Sequence, residues 1–235
     1  MKLTFTCLII SVLFLSACVK DKPNLNDPKN YLHGTTDTTG GGGGGTNPGL
    51  STTYQPVTKG TYWKYVYVLN GVTDTVTTTM TGDSTIINGR TYYSGASAFQ
   101  SGKFPSSTGY LSNQGHIYIQ YATAEGNDIY LYFLNDTTAV GHGWTSPINP
   151  TGSVNGVPGQ FVGTIIAKGL TKTVNGKSFK NVIHTQVMLQ YDYGTGFSTF
   201  ITYDNYIAQG IGLIEVDSNG LGTTGTETIF EYSIK

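Results

Sequence analysis

The sequence predicts an all-β protein. It reads as a single antiparallel, mostly meandering, strongly curved sheet, a half-barrel or a sandwich, preceded by a signal helix and a disordered Gly/Thr-rich tether. Three observations predict it. The 235 residues include 36 Thr, 17 Tyr and 32 Gly, a mixture of strand formers and turn formers poor in the residues that fill helices. Beyond Tyr54 apolar residues recur at every second position, the period of a half-buried strand. Turn signals, above all Asn-Gly pairs, interrupt that alternation at the spacing of consecutive antiparallel strands.

The amino terminus is a different kind of sequence. Met1-Lys2 is a short positive start, residues 3–15 are an apolar run, and the small residues Ser16 and Ala17 follow. This is the pattern of a secretory signal over residues 1–17, and the run falls short of the roughly 20 apolar residues a bilayer span needs. Leu15-Ser16-Ala17-Cys18 resembles the lipobox of bacterial lipoproteins. That resemblance implies cleavage before Cys18, lipidation of its sulfur, and a mature protein held on a membrane by acyl chains. Lys20-Asp21 is similar to the short Lys-acidic export signal of Bacteroidetes-type lipoproteins, although Lys22 stands where a second acid is usual. The address implied is the outer membrane, on its periplasmic or cell-surface side. Of the two cysteines, Cys7 leaves with the signal and Cys18 is lipidated. The exported domain then has no thiol for a disulfide, a Cys-zinc site or a Cys nucleophile.

Residues 18–53 are the lipidated Cys and the tether. They are rich in Asn, Pro, Thr and Gly, with six consecutive glycines at 40–45, and cannot bury enough surface to fold. As a flexible coil the stretch from Cys18 to Gly60 spans on the order of 35 Å. Residues 54–235 are the predicted β domain. Residues 60–69 meet 72–80 across Asn70-Gly71, the pair favoured in type I′ turns. A two-residue loop sets Leu69 opposite Val72, Tyr65 opposite Val76, Trp63 opposite Thr78 and Thr61 opposite Met80. One face is therefore core, and the other pairs Lys64, Val66 and Val68 with threonines. The same device recurs over 87–92 and 174–179, similar in residue type at every position, as an internal duplication or as two independent turns. Further strands are predicted at 116–123, 129–134, 161–167, 181–191, 198–207, 211–216 and 226–234. The irregular stretch 135–159 reads as a long loop or lid.

Charge and motifs exclude several functions. A formal charge of −1, with charged residues at only 11%, gives no footprint for nucleic acid. Gly220-x-Gly222-x-x-Gly225 fits a dinucleotide fingerprint but leads into a strand, and Asn175-Gly176-Lys177-Ser178 lacks the first glycine of a P-loop. Residues 95–99 and 196–200 approach a nucleophile elbow without its closing glycine. Glu215, Asp217 and Asn219 alternate like the start of a calcium loop, yet position twelve is Thr226, and the competing reading is an Asn219-Gly220 turn with solvated acids on its rim. They are the metal candidates of a chain for which no metal or cofactor is expected. His33, His116, His142 and His184 show no ligand spacing.

Gly60-x-Tyr62-Trp63-x-Tyr65, Asn175-Gly176-Lys177-x-Phe179-x-Asn181-Val182-Ile183 and Tyr206-x-Ala208-x-Gly210-Ile211-Gly212-Leu213-Ile214, with the lipobox and tether, resemble Bacteroidetes-type outer-membrane lipoproteins. The resemblance implies a curved antiparallel sheet similar to the half-barrels of LolA-like lipoprotein carriers, and it implies no activity. The helix those carriers wrap in their concavity has no counterpart here. In Gly210-Ile211-Gly212 two residues without side chains let a strand bend or another backbone approach, or offer N–H groups to a ligand.

The function expected is a membrane-anchored, non-catalytic envelope lipoprotein whose β domain binds a ligand, a glycan or apolar molecule, or a protein partner. The alternative is a structural or accessory subunit of an outer-membrane complex, and a hydrolase ranks last because no base-nucleophile pairing is visible. Tyr118, Gln120, Tyr130 and Tyr132 form the candidate binding face. A three-residue loop at 125–127 sets Tyr121 opposite Leu131 and Ile119 opposite Phe133, which leaves three phenols together as a flat platform for sugar rings.

Overall fold

The structure, a computed structural model, describes residues 52–124 and 126–235. The signal peptide, Cys18, the Lys20-Asp21 signal, His33 and nearly all of the tether lie outside the described residues. The strands are β1 (Tyr62–Leu69), β2 (Val72–Ile87), β3 (Arg90–Phe99), β4 (Ser107–Ser112), β5 (Ile117–Ala124), β6 (Asn127–Asn135) and β7 (Gly143–Pro147). They continue as β8 (Ser153–Val154), β9 (Val157–Val174), β10 (Lys177–Asp192), β11 (Phe197–Ala208), β12 (Gly212–Gly220) and β13 (Thr223–Ser233). A short 3₁₀ turn at Gln114–His116 precedes β5.

All pairings are antiparallel, in the order β6-β5-β4-β3-β2-β1-β13-β12-β11-β10-β9-β7, with β8 paired to β9 alone. The sheet curls until it is nearly closed. Its first and last strands are welded, Tyr62 to Ser233 through Leu69 to Gly225. Among the described residues the seam therefore falls mid-chain, where edge strand β6 closes against β7, β9 and β10. There the Tyr130 N–H donates to the Ile148 carbonyl at 2.9 Å. The Trp144 indole N–H donates to the Tyr132 carbonyl at 3.2 Å, and the Thr185 hydroxyl donates to the Phe133 carbonyl at 3.0 Å. Trp144 reaches that edge because its partner on β9 is Gly163, where an added Cβ would stand 2.2 Å from the indole ring.

The interior follows the alternation. Trp63, Tyr65 and Tyr67 of β1 are buried beside Val76, Thr78 and Met80 of β2. The predicted register holds at Leu69–Val72, Tyr65–Val76 and Trp63–Thr78, because Asn70 and Gly71 take the left-handed conformations (φ 48° and 79°) of a two-residue turn. Asn88-Gly89 and Asn175-Gly176 do the same. Gly210-Ile211-Gly212 is the β11–β12 turn, and close approach is its use: the Gly210 N–H donates to Thr53 O at 2.8 Å, and the Trp63 indole donates to Ile211 O at 2.6 Å.

Three expectations are corrected. Residues 135–159 contain β7 and β8, with an Asn155-Gly156 turn of φ 50° and 82°. Residues 90–99 and 107–112 form β3 and β4, where the predicted strands stop at Tyr92. The last hairpin turns at Leu221-Gly222 (φ 49° and 74°) instead of Asn219-Gly220. A Cβ at Gly220 would lie 2.1 Å from Phe200 O, so that glycine serves the close packing of β11 against β12.

Candidate functional site

The predicted face of Tyr118, Gln120, Tyr130 and Tyr132 is divided between two surfaces. The β5–β6 ladder begins at Ala124–Asn127, one residue tighter than the expected loop, so Tyr121 pairs with Tyr130, Gln120 with Leu131 and Ile119 with Tyr132. A one-residue slip sends side chains to the opposite face. Tyr118 and Gln120 consequently lie inside, 3% and 5% exposed. A bulge between Tyr118 and Ile119 gives β6 an extra residue, which lets Phe133 and Leu134 both be buried. The Tyr118 hydroxyl donates to Asp136 Oδ2 at 2.8 Å and accepts the Tyr54 N–H at 3.2 Å. Burial pushes it up to about 12. It ties the start of the domain to the sheet.

Tyr130 and Tyr132 stay on the outer face, where they join tyrosines that sequence reasoning did not assign. Tyr110 of β4, Tyr121 of β5 and Tyr130 of β6 are direct cross-strand neighbours. Their rings are 5.5 and 4.8 Å apart with interplanar angles of 38° and 34°. Tyr92 of β3 meets Tyr121 and Tyr130 edge-on at 6.0 and 6.3 Å. Tyr132 extends the row to the seam, 5.2 Å from Trp144. Each ring shields the next, so Tyr92 and Tyr121 are buried on an outer surface while Tyr110, Tyr130 and Tyr132 are half-buried. The signal available in the sequence was the recurrence of Tyr92, Tyr110 and Tyr121 on neighbouring strands. Its meaning depends on register.

The geometry is a stack of slats and not a flat platform. Tyr121 has Tyr110 on one side and Tyr130 on the other, so its ring faces are taken. Asp128 accepts the Tyr121 hydroxyl at 3.0 Å and the Thr123 hydroxyl at 3.3 Å. Arg90 is held below the row by Ser112 Oγ, Gln114 O and Ile117 O at 3.1–3.2 Å. Burial pushes Tyr92 and Tyr121 up to about 12 and raises Tyr130 and Tyr132. Burial thus favours the protonated form of these four, and the row is aromatic and rich in hydroxyl groups.

The metal candidates lie elsewhere. Glu215, Asp217 and Asn219 alternate along β12 and face outward as a line, whereas a calcium loop wraps its ligands around one point. Glu215 pairs with Lys172 at 2.9 Å, and Asp217 faces Asp204, itself 2.8 Å from His184 Nε2. Tyr206 stacks on His184 at 4.3 Å and carries the Lys172 ammonium 3.6 Å from its ring centre. Burial, then Glu215, raises the Asp217 carboxyl. Among the described residues no group of three or more His, Cys, Asp or Glu is placed to hold a metal ion. The dinucleotide-like 220–225 segment spans a hairpin, and 175–176 are a hairpin turn.

No protein-family model and no curated protein matches the sequence. Two solved structures align with the chain. One, from Parabacteroides distasonis, is named as a lipoprotein, with 8% identity, a TM-score of 0.47, and coverage of 78% of this chain and 99% of that chain. The other, from Bacteroides fragilis, is named as an exported protein with a YmcC-like fold, with 9% identity, a TM-score of 0.42, and coverage of 77% and 99%.

Proposed function

We propose that this chain is a lipoprotein held on the outer membrane through Cys18, that its β domain acts without catalysis as a binding module, and that the outer tyrosine row meets a glycan. The lipobox Leu15-Ser16-Ala17-Cys18 after a short signal supports the anchor. The observation that carries the binding role is the cross-strand stack Tyr110–Tyr121–Tyr130 with Tyr132 beside it. Packed rings lose little entropy on binding, and their protonated hydroxyls donate and accept hydrogen bonds as sugar hydroxyls do. Tyr110 and Tyr132 at the flanks of the stack are the positions left for contact with a sugar ring.

Two measurements test the reading. Cys18→Ala releases the protein from membranes, and retention of that variant, with no labelled palmitate on the parent, rejects the anchor. Glycan arrays followed by titration calorimetry compare the parent with Tyr130→Ala/Tyr132→Ala. Glycan binding that falls at least tenfold supports the row. Absence of binding by the parent, or binding untouched by the double substitution, rejects it.

A further inference from the structure

Inside the barrel, near the end away from the tether, three side chains have buried polar atoms without hydrogen-bond partners: both carboxyl oxygens of Glu227, the Tyr203 hydroxyl and Asn205 Oδ1. Glu227, 3% exposed, pairs with Tyr67 of β1 and with Val216 of β12, which pairs in turn with Asn205 of β11. Tyr203 is the next inward residue on β11. Burial is the influence that acts on the Glu227 carboxyl, and it raises it well above the usual carboxylate range. One inward position nearer the rim, Leu69 pairs with Gly225, and the turns at 70–71 and 221–222 follow. The tether enters at the opposite end, where Thr53 meets Gly210.

Loop 100–106, between β3 and β4, packs one aromatic side chain against Tyr67, the β1 neighbour of Glu227. The Phe104 ring lies 5.1 Å from Tyr67 and 5.0 Å from Phe99, which is itself 5.3 Å from Tyr67. Asp74, the β2 neighbour of Tyr67, latches the loop by accepting the Ser101 N–H at 3.1 Å and the Ser101 hydroxyl. Around Phe104 the loop residues 101–103 and 105–106 are exposed.

We propose that this end of the barrel binds a small organic ammonium whose apolar ring replaces Phe104 against Tyr67 and Phe99 and whose N–H groups are given to Glu227. Asn205 Oδ1 and the Tyr203 hydroxyl are the further polar partners on that floor. Three features assign the ligand class. Asn205 Oδ1 and, once Glu227 is ionised, both of its carboxyl oxygens are acceptors, so a ligand that donates hydrogen bonds satisfies them. Among the described residues no basic side chain is paired to Glu227, and an acid in such an interior ionises only beside a cation. Its surroundings are aromatic, and ring faces attract ammonium groups in desolvated sites. The room comes from a single exposed loop giving up one side chain. This site is separate from the outer tyrosine row, and neither proposal depends on the other.

The test uses the full chain carrying Cys18→Ala with 2-phenylethylammonium, its neutral counterpart 2-phenylethanol and the anion 3-phenylpropionate. In calorimetric titrations the ammonium binds at least tenfold more tightly than either of the others. Glu227→Gln removes that preference, and Tyr130→Ala/Tyr132→Ala leaves it intact. The comparison of three ligands on one protein stands even if Glu227→Gln does not fold. No binding of the ammonium, equal binding of the anion, a preference that survives Glu227→Gln, or one that disappears in the double tyrosine variant overturns the inference. In the first of these cases the buried row is served by water.

Discussion

Gly163→Ala places one methyl group where the Trp144 indole lies. A Cβ at that position would stand 2.2 Å from Cε2 and Cζ2 of the ring and 2.7 Å from its Nε1. The backbone is no obstacle, since Gly163 is a strand residue with φ outside the left-handed region. The ring must move, and its 3.2 Å hydrogen bond to Tyr132 O across the seam goes with it. Overpacking costs about 1–3 kcal/mol and the hydrogen bond about 1 kcal/mol. Together they come to about 2–4 kcal/mol, a fall in Tm of roughly 5–15 °C for a domain of this size. In a Trp144→Ala background the sign reverses. The clash with the indole is then gone, and replacing a strand glycine gains about 0.5–1 kcal/mol. Urea unfolding of the four proteins measures the coupling. An equal cost of Gly163→Ala in both backgrounds would refute the claim that Gly163 exists to admit Trp144 to the seam.

Three further outcomes are expected. Leu221, at φ 49° and 61% exposed, holds a left-handed position at a cost of about 1–2 kcal/mol; Leu221→Asn should raise the urea midpoint by about 1 kcal/mol of stability, and a fall contradicts the turn assignment. Because burial raises the Glu227 carboxyl in the folded state, its contribution is intact below the unfolded value and is lost as pH rises toward the folded one, by up to about tenfold in the folding constant per pH unit. Glu227→Gln should remove that slope, and parallel stability profiles for parent and variant would show that the group is solvated. A chain beginning at residue 52 should melt with the full chain. One beginning at residue 59 loses Thr53 O–Gly210 N, Gln55 O–Asn113 Nδ2 and Tyr54 N–Tyr118 OH, at about 0.5–1.5 kcal/mol each, and equal melting of the two chains would place the domain boundary further along.

The sequence by itself determined what is local. Alternation and two-residue Asn-Gly turns specify the β1–β2 hairpin down to its register, because turn conformation and inward-facing positions are set within about twenty residues of chain. They also determine the fold class and the antiparallel order. Tertiary structure decided the rest. Tyr118 and Gln120 go inside and Tyr130 and Tyr132 outside because a tighter loop and a bulge won over the aliphatic pairing that the sequence favoured, and the burial of both Phe133 and Leu134 depends on strands far away in the chain. The last turn sits at Leu221-Gly222 because Gly220 is needed against Phe200 of a neighbouring strand. The seam lies mid-chain because β1 and β13, at opposite ends of the domain, hydrogen-bond to each other and leave β6 and β7 as the edges. Each of these choices is made by contacts between residues remote in sequence, which become neighbours only when the sheet curls round.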